Sequence, residues 1–120
     1  MKDKTHDAMA YLIGSWPGEK IPEGSMHDLM YRHTRESTLF GGLLYDTNGP
    51  RPYSEELEQQ MQQFSYTGII NVDLFKGRSI SQGMKERLLA SSRLDLTDDE
   101  KELLSKTAKD MYASWTARKT

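Results

Sequence analysis

The run from Ser54 to Asp73, SEELEQQMQQFSYTGIINVD, constrains the fold most tightly because its periodicity changes within it. Ser54 is a good N-cap, Glu55 and Glu56 lie in the first turn where the helix dipole favours acids, and Leu57, Met61 and Phe64 recur on one helical face. The helix must stop before Gly68. Beyond it Ile70, Val72 and Leu74 alternate with Asn71 and Asp73, the pattern of a strand with one buried side. FKGRS then supplies a turn with Gly77 at its centre, and Ile80 begins the return strand. Asn48-Gly49-Pro50 makes a turn ahead of the helix, and Pro52 stands just before its cap. The order is helix, strand, turn, strand: a helix leading into a β-hairpin wing.

The remaining chain reads as helices around that unit. Ala8, Met9, Leu12, Ile13 and Trp16 share a helical face, with Thr5 placed as cap and Pro17-Gly18 as terminator. GEKIPEG is loop-like. Ser25 opens a second helix carrying Met26, Leu29 and Met30, with Asp28/Arg32 and Arg32/Glu36 as i,i+4 pairs. LFGGLLYD is read as a buried connector, with a brief strand as the alternative. Met84, Leu88 and Leu89 support a helix after the hairpin. Thr97 and Glu100 form a capping box ahead of an apolar face of Leu103, Leu104, Ala108, Met111, Tyr112 and Trp115. The expectation is a mainly α single domain over residues 1–120, winged-helix-like, with helices near 5–16, 25–36, 54–65, 82–91 and 98–117 and a hairpin near 69–81.

Composition narrows the function classes. A chain of 120 residues suits one modest core, and its hydrophobic share of 36% makes that core thin. Without cysteine there is no disulfide frame and no thiolate metal site, which fits a reducing, cytoplasmic setting. No apolar run nears the roughly 20 residues of a membrane span, and no secretory leader pattern opens the chain, so no membrane role is expected. Sixteen Lys and Arg against eighteen Asp and Glu, a net charge of −2, offer phosphate backbones no overall attraction.

With Leu29-Met30-Tyr31 after a capped start, then GPRPYSEELEQQMQQFSYTGII and later LTDDEKELLSKTAKDMYASW, the layout resembles the Panacea domain of SocA-like antitoxins and phage-associated proteins. The resemblance spans roughly residues 5 to 117. It implies an antitoxin-like or regulatory binding module and no catalytic residues.

The residues themselves agree with a non-enzyme. His6, His27 and His33 lack metal-ligand spacing and read as surface or boundary histidines, and no serine elbow, phosphate loop or nucleophilic cysteine is present. No catalytic, cofactor-binding or metal-ligating residue is assigned. Two surfaces are candidates. One is the polar face of the central helix, where Glu55, Glu56, Glu58, Gln59, Gln60, Gln62 and Gln63 carry no cation; Glu55, Glu58, Gln59 and Gln62, with Tyr53 and Tyr66 at its ends, are the expected protein-binding residues. Phe40 and Tyr45 are further aromatic anchors. The other is the wing and the helix after it, where Lys76, Arg78, Lys85, Arg87 and Arg93 face only Glu86. Lys76, Arg78, Lys85 and Arg87 are the expected contacts if the partner is nucleic acid. The favoured partner is a protein, a toxin or a host protein.

Overall fold

A computed structural model of the chain describes residues 4–35, 37–75 and 77–117. Among the described residues it contains five α-helices and one small antiparallel sheet: α1 (Thr5–Gly14), β1 (Lys20–Ile21), α2 (Ser25–Thr34), α3 (Glu55–Tyr66), β2 (Asn71–Asp73), β3 (Gly77–Ser79), α4 (Gln82–Leu89) and α5 (Asp98–Ala117). A 3-10 turn at Thr38–Phe40 follows α2. The mainly helical expectation holds. α1 packs against α4 and α5, and α2 also packs against α5.

The central helix forms as its sequence implies. Ser54 Oγ accepts the Leu57 N–H at 3.2 Å, and Leu57, Met61 and Phe64 are buried. Its end is a Schellman motif: Ile69 N–H donates to Phe64 O (2.9 Å) and Gly68 N–H to Ser65 O (3.2 Å), with Gly68 at φ +81°, which favours glycine. This motif corrects the strand reading. Ile70 drops into the core beside the helix end before β2 begins at Asn71, so its burial is no part of a strand alternation. Val72 is 61% exposed and Leu74, already past the strand, 97% exposed.

The hairpin is real, but its turn lies earlier than expected. Asp73 pairs with Gly77, whose φ of +77° places it at the exit of the turn, not the centre. Phe75 N–H donates to Asp73 Oδ1 at 2.7 Å, closing the turn from within. Ile80 lies one residue past β3 and is fully buried, its N–H given to Glu19 O (2.8 Å). GEKIPEG also contributes a third strand, β1, with Lys20 opposite Ser79 and Ile21 opposite Arg78. Two residues are too few to show a period, so this strand exists only because β3 offers it an edge. The sheet order β1-β3-β2 makes β3 the central strand.

Other corrections follow from packing. Thr5 does not cap α1; it is the first helical residue, buried, and its Oγ1 accepts the Gly42 N–H at 2.9 Å, tying α1 to the connector. α1 ends at Gly14, where a Cβ would stand 2.9 Å from Leu88 Cβ, so the close approach of α4 needs glycine there. Trp16 therefore lies outside the helix yet is buried, with its indole N–H given to Lys20 O at 2.8 Å and its ring near Tyr112 and Trp115. The LFGGLLYD segment is a connector, with a 3-10 turn and a single bridge between Asp46 and Tyr53. On α5, Leu104, Ala108 and Met111 make the buried stripe, while Leu103, a third of a turn away, is half exposed. The Thr97–Glu100 capping box is formed in both directions, at 2.8 and 3.1 Å. The Asp28–Arg32 pair is formed at 3.2 Å; the Arg32/Glu36 pair lies outside the described residues.

Phe64 joins the α3 stripe to the common core, and its ring also meets His6 at 5.6 Å. Phe64→Ala is expected to cost about 3–5 kcal/mol, a large part of the stability of a domain with so thin a core. Urea unfolding followed by circular dichroism measures it; a midpoint unchanged from the parent would refute the buried stripe.

Candidate functional site

The most connected polar cluster lies where α2, α3 and β3 meet. His27 on α2 is 6% exposed, a buried residue where the sequence reads as a surface or boundary histidine. Its Nδ1 stands 3.1 Å from the Ser54 backbone nitrogen and its Nε2 3.1 Å from Glu58 Oε2. A backbone N–H can only donate, so Nδ1 accepts and the ring proton of this neutral imidazole lies on Nε2, donated to Glu58. The other carboxylate oxygen of Glu58 accepts from Arg78 Nη2 at 2.8 Å. Tyr53 stacks on the His27 ring, centroids 4.6 Å apart and planes 13° from parallel, and its hydroxyl donates to Glu55 at 3.1 Å. The chain Arg78–Glu58–His27–Ser54 thus runs from the central strand to the cap of α3.

Electrostatics follow the geometry. Burial by itself would raise the Glu58 carboxyl, but hydrogen bonds from Arg78 and His27 outweigh it and hold the group below the ordinary carboxylate range. Glu56 is held low as well, chiefly by the Leu44 N–H at 3.0 Å, so it ties α3 to the connector. Burial pushes the Tyr45 phenol up to about 12, partly offset by the neighbouring Thr34 hydroxyl. Thr34 gives its own proton to Met30 O, and the Tyr45 hydroxyl finds no hydrogen bond of good geometry.

The expected protein-binding face is therefore only partly free. Glu58 belongs to the internal cluster, Tyr53 stacks on His27 yet stays 44% exposed, Glu56 is engaged, and Gln60 meets His6 at 2.9 Å. Gln59, Gln62 and Tyr66 remain along one outer stripe with Glu55, which is exposed while accepting the Tyr53 hydroxyl; Tyr66 is 87% exposed. Of the further anchors, Phe40 is a core residue and Tyr45 is half-buried against Tyr31, so neither is a free contact. The stripe is glutamine-rich with one acid, not the strongly acidic face its sequence suggests.

The basic patch is likewise dispersed. Arg78, with 12% of its side chain exposed, is paired to Glu58, and Lys85 is buried, its ammonium given to Trp16 O and Gly18 O at 3.1 and 3.2 Å. Arg87 and Arg93 are exposed, and Lys76 lies outside the described residues. Nearness along the chain grouped these cations, but Lys85 turns inward to the carbonyls of the loop after α1.

Two features went unmarked in the sequence. One is a cavity of about 510 Å³ beside the cluster, walled by Tyr53, Pro50 and Gly24 and rimmed by Arg51 and Glu23. The other is the hairpin tip, where Leu74 and Phe75 are each 97% exposed. The alternation of the strand disguised the tip by assigning Leu74 to a buried side. Among the described residues no group of three or more His, Asp or Glu is arranged to hold a metal ion, and no helix is long and apolar enough to cross a membrane.

Because the folded-state carboxyl of Glu58 is depressed, its contribution to stability is complete above the ordinary carboxylate range and is lost as pH falls through the lower folded value. Glu58→Gln is expected to lower stability by about 1–3 kcal/mol near neutral pH by leaving Arg78 without its counter-charge. The gap between parent and variant should then narrow below about pH 4. Thermal melts across pH measure both; a gap independent of pH would refute the charge contribution.

No protein-family model, curated protein or solved structure matches the chain.

Proposed function

We propose that this protein is a non-catalytic, protein-binding regulatory module of the antitoxin or phage-encoded modulator type, and that its hairpin tip is the element that enters a partner. The observation that carries this reading is the exposure of Leu74 and Phe75 side by side at the end of a two-stranded projection, with Val72 on the strand leading to them. Burying a side chain of either kind gains about 1.5–3 kcal/mol, so a partner pocket that accepts both has a strong anchor. The Asp73–Phe75 Asx hydrogen bond and Gly77 fix described residues on both sides of the turn, which reduces the ordering entropy that docking costs. The outer stripe of α3, Glu55, Gln59, Gln62 and Tyr66, offers adaptable polar contacts and one aromatic for the same partner. The helix-then-hairpin order is winged-helix-like, and the resemblance to the Panacea domain supports the regulatory class.

Nucleic acid is the weaker reading. Arg78 and Lys85 spend their charge on Glu58 and on backbone carbonyls, which leaves exposed Arg87 and Arg93 without the contiguous field that phosphate binding needs. Duplex DNA is expected to show no saturable, salt-dependent retention by the protein at low ionic strength; a steep salt slope would revive that reading.

The direct test replaces Phe75 with a photo-crosslinking phenylalanine analogue in the native host. One discrete protein adduct is expected, lost when Leu74→Ser is added, while the melting temperature stays near that of the parent because both positions are exposed. Absence of an adduct, or an adduct indifferent to Leu74→Ser, would reject the hairpin tip as the binding element.

A further inference from the structure

We infer that the cavity beside the His27–Glu58–Arg78 cluster is a receptor for a single carboxylate group, taken up by the guanidinium of Arg78 on its floor and that of Arg51 on its rim. Arg78 is held rigidly: its side chain is largely buried, and the hydrogen bond it makes among the described residues uses Nη2 and Glu58 Oε1. A guanidinium carries five N–H donors in a planar fork, so most of its capacity is unspent where it lines the cavity. Such a fork, fixed by one carboxylate on one edge, is pre-organised to take a second on another. Arg51 also lines the cavity, is exposed, and makes no hydrogen bond or ion pair among the described residues. Gly24, the N-cap of α2, lines the cavity and has no side-chain cap to offer, which sets the positive end of a helix dipole nearby.

Charge balance selects the ligand. The lining contains two arginines and two glutamates, Glu58 and Glu23, so its formal charge is balanced, and Arg78, paired to Glu58, offers N–H donors more than net charge. A dianionic phosphate would find no net positive charge to balance it, whereas a planar monoanion needs only the remaining N–H donors of Arg78 and the head of Arg51. Glu23, exposed and unpaired among the described residues, opposes the anion and so limits its affinity. The Tyr53 ring, held flat by His27, and Pro50 supply an apolar wall for whatever carries the carboxylate. The site adjoins the base of the hairpin through Glu23 and Arg78, but acetate binding is read without any protein partner, so it holds or fails independently of the proposed function.

Titration of the isotope-labelled protein with sodium acetate at constant ionic strength, followed by NMR of the Arg78 Nε–H and the amides of Gly24 and Tyr53, tests the site directly. Saturable shifts confined to those groups are expected. Arg51→Gln should weaken binding by about fivefold or more and Glu23→Gln should tighten it by a similar factor, both without unfolding the domain because both side chains are exposed. A capped Ala-Glu-Ala peptide binding more tightly than acetate would place the carboxylate on a polypeptide; equal affinity would place it on a small molecule. Shifts no larger than those given by sodium chloride, inorganic phosphate binding more tightly than acetate, or Glu23→Gln weakening acetate would each overturn the inference. Saturable binding of ethylguanidinium that is lost in Glu23→Gln would assign the cavity to a cation instead.

Discussion

Glu58 accepts two hydrogen bonds at once, from Arg78 on β3 and from His27 on α2, and three separate elements take their relative positions from it. The carboxylate is partly buried, so leaving either oxygen unmet would be expensive, and each donor is committed in turn. His27 passes the constraint on by accepting the Ser54 N–H, which fixes the residue that caps the helix bearing Glu58. The loop of interactions closes on itself: α3 is capped by a residue held by a histidine that is oriented by α3. Such circular dependence makes the junction cooperative, since loss of one member releases the partners of the others.

A second anchor secures the opposite side of the sheet. Trp16 gives its indole N–H to Lys20 O at the start of β1, and Lys85 on α4 gives its ammonium to Trp16 O and Gly18 O. A buried lysine is costly unless its donors are met, and here they meet the carbonyls of Trp16 and Gly18 in the loop after α1. The sheet is thus gripped by α3 through Arg78 and by α4 through the 15–20 loop. Strands of two and three residues would not persist without these grips.

Rigidity at the base and apolar exposure at the tip fit together functionally. The hairpin projects Leu74 and Phe75 from a base whose central strand is pinned by an ion pair and covered by buried Ile80. A binding element presented in this way loses little entropy when it docks. The cavity uses the same pinned arginine from another direction, so both candidate surfaces draw on one structural investment in β3.

The sequence by itself determined the helices, the caps of α3 and α5 and the existence of the hairpin, because those depend on contacts within about four residues or on strict periodicity. Ser54 capping α3, the Thr97–Glu100 box and the Leu57–Met61–Phe64 stripe are all of this local kind. Tertiary structure alone decided which charges are free. His27, Glu58, Arg78 and Lys85 look like solvent-facing groups along the chain, yet each is claimed by an atom far away in sequence: Ser54 N, Arg78, Glu58 and the carbonyls of Trp16 and Gly18. β1 and the exposed tip belong to the same class, since a two-residue strand has no period and a turn residue has no face until its neighbours are placed. Local propensity is written in neighbouring residues, whereas the partner of a buried charge is chosen by three-dimensional proximity, which no spacing along the chain encodes.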